Sequence, residues 1–166
     1  MIRQLLVMTY VLTLPITAVH AQQASVRVQT MKMHGPRTLE KQTETSVVRD
    51  YLQSWKSLEA ALDQNQPALL DANFVGTSRD KLANTIDEQL KLGIHARYQE
   101  HSHDLQFVFY SPEGLSIQMI DTVEYDEQVL DHDKVLATKP IIARYLVVLT
   151  PSEVRWRVRI LQAEVE

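Results

Sequence analysis

Two histidines and an aspartate are the side chains of this sequence whose types and spacing best fit chemistry. His101 and His103 alternate along one predicted strand, and Asp121 lies on the next one. A register that pairs Leu105 with Asp121 places that carboxyl group diagonal to His103, within reach of its side chain. A carboxyl group between apolar neighbours would lose its hydration, which is the environment that a general acid or base requires. The pattern therefore predicts Asp121 and His103 as candidate catalytic residues.

Other side chains on the same strand face are expected to converge if the sheet curves around a pocket. These pocket candidates are His101, Phe107, Met119, Tyr125 and Tyr145. An alternative interpretation needs no active site: strands fray and bulge near their ends, so both histidines would lie at a solvated rim and a bulge would turn Asp121 outward. Because both interpretations fit the sequence, it assigns no catalytic residue by itself.

The segment His101-Ser102-His103 also offers two imidazoles on one side of a strand, with Asp104 or Asp121 nearby. Protein metal sites need three or four ligands in suitable geometry, and this spacing supplies two. We therefore predict no metal site. The chain has no cysteine and only four glycines, and it lacks a nucleotide-binding glycine motif, so we expect no cofactor.

Two strands joined by a tight turn must position these candidates. The segment Ser111-Pro112-Glu113-Gly114 fits a three-residue loop, in which a type I turn is followed by a glycine in the left-handed region. This loop pairs Phe109 with Ile117 and Phe107 with Met119, so apolar residues meet across the strands. The agreement supports the register described above.

A second hairpin is predicted to turn at Thr150-Pro151-Ser152-Glu153. Its predicted pairs are Leu149 with Val154, Val147 with Trp156, Tyr145 with Val158, and Ala143 with Ile160. The opposite face combines arginines with apolar side chains, namely Arg155, Arg157, Arg159, Ile142, Leu146 and Val148. Apolar residues on both sides of one strand predict a homodimer, in which a second copy covers the outer face. Pro140 predicts a bulge or a sheet edge, and the register around Asp131-His132-Asp133-Lys134 is left open.

Two amphipathic helices precede the strands. The first carries an apolar stripe that comprises Val48, Tyr51, Leu52, Trp55, Leu58 and Leu62, of which Tyr51 and Trp55 are interpreted as core residues. Asn65-Gln66-Pro67 is predicted to end this helix and to start a short turn. The second helix is expected to begin with a capping box at Thr77-Ser78-Arg79-Asp80 and to stop at Gly93. Its predicted apolar stripe comprises Leu82, Ile86 and Leu90.

The helix order, the long strands and the closing strand pair resemble the nuclear transport factor 2-like superfamily, also called the cystatin-like cone. The resemblance covers Ser46 to Ala163 and is carried by Arg144-Tyr145-Leu146-Val147-Val148-Leu149 and Val154-Arg155-Trp156-Arg157-Val158, with Trp156 similar to an aromatic residue of the last strand in such domains. It implies an α+β fold in which N-terminal helices pack on a strongly curved antiparallel sheet, forming a cone with a pocket. It also implies frequent dimerisation through the outer sheet face, and functions from isomerase or dehydratase to pure binding. No catalytic motif of the family aligns residue by residue, so no role is transferred.

Residues 1–21 have the features of an export signal. Arg3 is followed by the apolar run Leu5 to Leu14, and Val19-His20-Ala21 fits a signal-peptidase site. We therefore expect cleavage before Gln22 and a periplasmic or secreted protein. The alternative is an uncleaved membrane anchor, for which the apolar run is short.

The rest of the chain is interpreted as a polar linker or arm at 22–45 and one domain at 46–163. Within the arm, Ser25-Val26-Arg27-Val28 alternates like a short edge strand. The net charge of −4 argues against a nucleic-acid partner, because nucleic-acid binding needs a clustered basic face.

These observations favour an exported, non-catalytic domain that binds a small molecule or a protein partner. One alternative is an acid–base enzyme of the isomerase or dehydratase type that acts on a small apolar substrate through Asp121 and His103. Another is an envelope assembly component that an uncleaved N-terminal helix holds at the membrane. A buried Asp121 close to His103 would favour the enzyme, whereas an open rim around the histidines would favour binding.

Overall fold

The structure is a computed structural model that describes residues 24–29, 33, 35 and 37–164. The predicted export signal and its cleavage site lie outside these residues. The described elements follow one another in the order β1 Ser25–Gln29, α1 Lys41–Gln64, a short 3-10 helix Pro67–Leu70, α2 Gly76–Leu92, β2 His95–Tyr110, β3 Ile117–Asp131, β4 Lys134–Pro151 and β5 Trp156–Ala163. No helix in this part of the chain is long and apolar enough to span a membrane.

One five-stranded sheet carries both helices. Its strand order is β1-β2-β3-β4-β5, and β2 to β5 form an antiparallel meander in which each strand pairs with the next. β1 adds to the edge of β2 in parallel, from Ser25 opposite Ser102 to Gln29 opposite Gln106. This pairing confirms the edge strand predicted in the arm and makes the sheet mixed. The predicted α+β fold, with helices packed on a curved sheet, is confirmed.

Helix α1 buries the predicted stripe against the sheet. The fully buried apolar positions recur at helical spacing and comprise Val47, Tyr51, Trp55, Leu58, Ala61 and Leu62. Val48 and Leu52, at the edges of the stripe, are half-buried. The helix ends where Asn65 adopts left-handed backbone (φ 51°) and its amide donates to the Ala61 carbonyl oxygen. Pro67 then opens the 3-10 helix, as predicted.

Helix α2 starts at Gly76, and the predicted capping box is absent. Val75 precedes the helix in extended backbone, and no side chain caps the helix start. The Val75 amide donates to the Val158 carbonyl oxygen (2.9 Å), and the Ser78 hydroxyl donates to the same oxygen (2.8 Å). Pairing with β5 therefore sets this helix start and overrides the local signal at residues 77–80.

The apolar stripe of α2 is confirmed in part. Ile86 is fully buried and Leu82 packs against the core, but Leu90 is 60 % exposed, so the prediction for Leu90 was wrong. The buried residues of α2 all lie before its last turn, so Leu90 falls beyond the region that packs against the core. The helix stops at Gly93 in left-handed backbone (φ 70°), as predicted.

The predicted register of β2 and β3 holds at the centre of the hairpin and fails near its turn. Phe107 faces Met119, as predicted. A bulge after Phe107 then adds one residue to β2, so Phe109 faces Gln118 instead of Ile117. The predicted three-residue loop was wrong, because the Ser111 amide donates to the Ser116 carbonyl oxygen (2.9 Å) and leaves four residues in the loop. The bulge compensates for the extra loop residue and restores the predicted register at Phe107.

The predicted register of β4 and β5 was wrong. The observed pairs are Leu149 with Val158, Val148 with Ile160, Val147 with Leu161, and Tyr145 with Ala163. The reason is that β4 continues to Pro151, which pairs with Trp156, so the loop lies later in the chain than predicted. Ser152 closes that loop, because its amide and its hydroxyl each donate to the Arg155 carbonyl oxygen at 2.8 Å.

The connection between β3 and β4, whose register the sequence left open, is a tight turn. Asp131 pairs with Lys134 across it, and His132 adopts left-handed backbone (φ 52°). β5 ends at Ala163, before it reaches the level of Pro140. This part of β4 is therefore a sheet edge, where the missing amide of proline removes no ladder hydrogen bond, as predicted.

One buried carboxylate ties α1 to the last strand. Asp50 is buried, and its Oδ2 accepts a hydrogen bond from the Trp156 amide at 2.9 Å. Its Oδ1 accepts a hydrogen bond from Arg49 Nε, also at 2.9 Å. The contact with Trp156 joins positions 106 residues apart, so it holds the first helix on the last strand.

Replacing Asp50 by alanine is expected to lower the free energy of unfolding by about 1–3 kcal/mol, because the Trp156 amide would lose its acceptor in a half-buried site. Urea unfolding followed by circular dichroism measures the change. Gln53→Ala, on the exposed face of α1, is the matched control and should stay within about 0.5 kcal/mol of the unmodified protein. An Asp50→Ala protein as stable as this control would contradict the role given to the contact.

Candidate functional site

The carboxylate of Asp121 is completely buried beneath α1, at the centre of the sheet. Its cross-strand neighbours are Leu105 on β2 and Tyr145 on β4. The Tyr51 hydroxyl donates to Asp121 Oδ2 (2.7 Å), and His103 Nδ1 lies 2.8 Å from the same oxygen. We call Tyr51, Asp121 and His103 the polar chain. The expected approach of Asp121 to His103 is present, and the catalytic roles of both residues stay a prediction.

His103 is held between two carboxyl groups. Its side chain has no exposed surface, and its Nε2 lies 3.4 Å from Glu100 Oε2. Burial lowers the pKa of His103, but the contacts with Asp121 and Glu100 and the charges of both acids raise it by more, to about 9. Since both partners are acceptors, each ring nitrogen carries a proton, and the side chain is an imidazolium at neutral pH.

A bulge in β2 removes His101 from the pocket candidates. Glu100 pairs with Tyr125, the partner predicted for His101, and His101 becomes the extra residue of the bulge. The His101 side chain is 38 % exposed, and its Nε2 lies 3.1 Å from Asp126 Oδ2. The prediction that His101 faces the interior was wrong because the inserted residue exchanges the two sides of the strand. Glu100 takes the inner position.

The sequence contained a signal for this exchange. Before the bulge, the inward residues have even numbers, as at Ala96, Tyr98 and Glu100. After the bulge they have odd numbers, from His103 to Phe107. Apolar alternation that changes parity within one strand is what an inserted residue produces. The sequence analysis assumed one parity for the whole strand and therefore missed Glu100.

Glu59, which the sequence analysis also missed, brings a second carboxyl group to Glu100. Burial and the charge of Glu100 raise the pKa of Glu59 to about 7, against the lowering effects of Lys56 and His103. A hydrogen bond between the two acids adds to the rise. Glu59 lies one helical turn after Trp55 on α1, so its side chain extends over the same part of the sheet. We call Glu59 and Glu100 the acid pair; it takes up and releases a proton close to neutral pH.

Four aromatic side chains lie at the same end of the site. The Trp55 ring centre is 5.9 Å from those of both Tyr125 and Tyr145, and the Tyr98 ring centre is 4.7 Å from that of Tyr125. The hydroxyl oxygens of Tyr125 and Tyr145 are 3.4 Å apart. Burial raises the pKa of Tyr98 and Tyr125, so both stay neutral over the physiological range. We call Trp55, Tyr98, Tyr125 and Tyr145 the aromatic cluster.

The structure brings some of the pocket candidates together and separates others. Tyr125 and Tyr145 meet in the aromatic cluster, near His103. Phe107 and Met119 face each other further towards the first turn, where they are buried in the hydrophobic core. The sequence placed Phe107 and Met119 in a pocket because they share a strand face with the site. In the structure they are core residues.

The two imidazoles of the segment His101-Ser102-His103 do not share a site. His103 is buried between Asp121 and Glu100, whereas His101 contacts Asp126 and is partly exposed. Across residues 24–29, 33, 35 and 37–164, no group of three or more histidine, cysteine, aspartate or glutamate side chains could hold a metal ion.

Comparisons with known proteins find similarity in fold and not in sequence. No protein-family model matches the chain, and no curated protein matches it. The intermembrane space region of the chloroplast protein ARC6 is similar in structure, with a TM-score of 0.61 and 16 % identity over 79 % of this chain and 100 % of that one. A putative scytalone dehydratase from Novosphingobium aromaticivorans gives a TM-score of 0.51 and 15 % identity over 76 % of this chain and 89 % of that one. ActVI-ORFA from Streptomyces coelicolor gives 0.48 and 16 %, over 70 % and 95 %.

At such low identities the similarity concerns the fold alone. The two structures with TM-scores above 0.5 are members of the fold group that the sequence resemblance named. This protein packs two helices on one five-stranded mixed sheet, which is consistent with those structures. The chain therefore has the nuclear transport factor 2-like fold.

Proposed function

We propose that the domain binds a small molecule at the aromatic cluster. The proposal rests on one observation: the aromatic cluster lies next to the buried polar chain and the acid pair. A wall of aromatic side chains with a few placed polar groups is the usual lining of a small-molecule site. Tyr98 and Tyr145 are half-buried, so a molecule could enter from solvent at this end. Binding without chemistry is the first form of this proposal.

One structural comparison supports a small-molecule site inside the fold. The dehydratase from Novosphingobium aromaticivorans is named for a small-molecule substrate, and its fold is similar over most of both chains. Because unrelated functions share this fold, the comparison transfers no activity. The proposal therefore depends on the contacts of the site itself.

A small aromatic molecule should bind at the aromatic cluster. In NMR titrations with 2-phenylethanol, we expect the backbone amides around Tyr98 and Tyr145 to shift, because both side chains lie at the site's open end. Ala143 packs against the core from β4, two residues before Tyr145, so Ala143→Trp should fill the site and abolish the shifts. Asn84→Trp, on the exposed side of α2, is the matched control and should leave the shifts unchanged. Shifts that map to another surface, or an Ala143→Trp protein that still binds, would reject this site.

A specific observation favours a second candidate function, acid–base catalysis at the same site. Glu59, with a pKa of about 7, lies close to His103, with a pKa of about 9. Such groups can accept one proton and deliver another near neutral pH. Asp121 is inaccessible and accepts two hydrogen bonds, so it would act by orienting His103. The reaction class would be that of an isomerase or dehydratase on a small apolar substrate.

The two perturbed groups determine how stability should depend on pH. The pKa of His103 is raised from 6.5 to about 9, so its contribution is complete below pH 6.5 and is lost as the pH rises through about 9. The pKa of Glu59 is raised from 4.5 to about 7, so the folded state also holds this proton more tightly. The free energy of unfolding should therefore fall with rising pH over both ranges.

Urea unfolding at a series of pH values measures these two effects. His103→Gln should flatten the fall between pH 6.5 and about 9, and Glu59→Gln should flatten it between pH 4.5 and about 7. His132→Gln is the control, because His132 is exposed in the β3–β4 turn. A His103→Gln protein with the same pH profile as the control would show that the imidazolium is not stabilised by the fold.

We also propose that the protein forms a homodimer through the outer face of its sheet. Ile142 is 75 % exposed, and Leu146 and Val148 follow it on the same side of β4. Ile120, the partner of Leu146 on β3, is already buried, so the exposed apolar area lies along β4. Adjacent apolar side chains on the face away from the helices form a surface that a second copy would cover. A two-fold axis would use the same patch on both copies.

Sedimentation equilibrium tests the dimer. The unmodified protein should sediment as a dimer at micromolar concentration, and Leu146→Glu should yield monomers, because a charge would be buried in the contact. Thr138→Glu, on the exposed edge of β4, should leave the dimer intact. A monomer at high micromolar concentration would contradict the proposal.

We further propose that the domain acts outside the cytoplasm, in the periplasm or as a secreted protein. The export features of residues 1–21 support this location. The similar ARC6 structure is an intermembrane space region, which is consistent with it. If the N-terminal segment is retained as an anchor, the same domain would serve as an envelope assembly component at the membrane surface.

A further inference from the structure

The site brings three carboxyl groups to one histidine. Among the described residues, Asp121, Glu100 and the half-buried Glu59 lie around the buried imidazolium of His103. Asp121 already contacts one nitrogen of that ring. The positive charges that act on the acid pair are therefore the other side of the His103 ring and Lys56, whose side chain is exposed. Burial and the nearby charge of Glu100 both disfavour an ionised Glu59, and they raise its pKa.

Two buried polar atoms at the acid pair have no well-aligned hydrogen-bond partner among the described residues. They are Glu100 Oε1 and His103 Nε2. The His103 side chain is completely buried, and its Nε2 has only the ion-pair contact with Glu100 Oε2, at 3.4 Å. Buried polar atoms without partners are unfavourable unless a bound molecule supplies them. The two atoms differ in kind: protonated His103 Nε2 is a donor that keeps its contact with Glu100 Oε2, whereas Glu100 Oε1 is an acceptor. The group that would satisfy Glu100 Oε1 is a hydrogen-bond donor.

Aromatic rings lie on both sides of this place. Glu100 is opposite Tyr125 in the sheet and follows Tyr98 on the inner side of β2. Glu59 follows Trp55 by one turn of α1. Carboxylates beside aromatic faces suit an organic ammonium group, since the acids pair with its charge and the rings attract its positive carbon-bound hydrogens. Neither an anion nor a purely apolar molecule would gain from this combination.

We propose that the ligand of this site carries a protonated amine, which lies between Glu59 and Glu100 while its apolar body contacts the aromatic cluster. The inference rests on the proposed function, because it names the class of molecule that binds at the same site. An ammonium group stabilises the charged form of Glu59, so binding releases a proton from the acid pair. A neutral ligand would gain nothing from the charged form of Glu59, so its affinity would not rise with pH and its binding would release no proton.

The pH dependence of amine binding reports on Glu59. The charged groups that act on Glu59 are Lys56 from its own helix, and Glu100 and His103 from β2. His103 stays charged up to about pH 9, so it does not change its protonation between pH 5.5 and 8. Affinity for an amine should therefore rise across this range as Glu59 loses its proton.

Isothermal titration calorimetry with 2-phenylethylamine and 2-phenylethanol tests the inference, because the two probes are equal in size and differ in charge. At pH 8 the amine should bind at least tenfold more tightly than the alcohol, and this preference should shrink at pH 5.5. Titrations near pH 6.5 in two buffers of different ionisation enthalpy should reveal the release of up to one proton with the amine and none with the alcohol.

Two variants locate the effect at the acid pair. Glu59→Gln should weaken amine binding at least tenfold, remove the proton release and leave the affinity for the alcohol unchanged. Glu88→Gln, on the exposed side of α2, should behave like the unmodified protein. Equal affinities for amine and alcohol, or a Glu59→Gln protein that still prefers the amine, would overturn the inference and leave the binding site standing. If neither probe binds, the proposed function fails together with it.

Discussion

Burial of the Asp121 carboxylate inside an apolar core constrains most of the structure. A buried charge is tolerated only if donors reach it, and here the donors come from two different elements. Tyr51 reaches Asp121 from α1, which sets how far the helix stands above β3. His103 reaches it from β2, which requires the register that pairs Leu105 with Asp121. Asp121 Oδ2 therefore obtains both of its hydrogen bonds only with this position of α1 and this register of β2 and β3.

The bulges of β2 decide which side chains enter the interior. Without the inserted residue at His101, the strand would direct that imidazole inward and Glu100 outward. The site would then contain two histidines and one carboxylate, a combination typical of metal ligation. With the bulge, it contains one histidine between two acids, Asp121 and Glu100, and a third acid, Glu59, arrives from α1. One extra residue thus replaces a set of side chains typical of a metal site by a histidine and acids that can exchange protons.

The sequence predicted those parts of the fold that depend on local pattern. Helical spacing located α1, Gly93 located the end of α2, and the match of Phe107 with Met119 located the core register. Prediction failed where other contacts decide. The start of α2 depends on a hydrogen bond from Ser78 to a carbonyl group 80 positions later in the chain. The last loop lies later than predicted because β4 continues to Pro151 and pairs with Trp156, whose amide donates to Asp50 on α1.

The candidate site, too, was predictable only in part. The adjacency of Asp121 and His103 was predictable, because it follows from the register of one hairpin. The inward position of Glu100 requires the bulge at His101, and the approach of Glu59 requires the packing of α1 on that part of β2. Neither condition can be recognised when the inward residues of β2 are assumed to be either all odd-numbered or all even-numbered.

The contact between Asp50 and Trp156 has a consequence for how the protein folds. It joins the first helix to the last strand, and the Tyr51–Asp121 hydrogen bond next to it spans 70 positions. Long loops must close before such contacts form, so a topology of this kind folds more slowly than one built from local pairs. While the chain is being synthesised, Asp50 on α1 stays without its partner until β5 has emerged. The helix can fold early, but its final place in the domain also depends on β5, the last of the described strands.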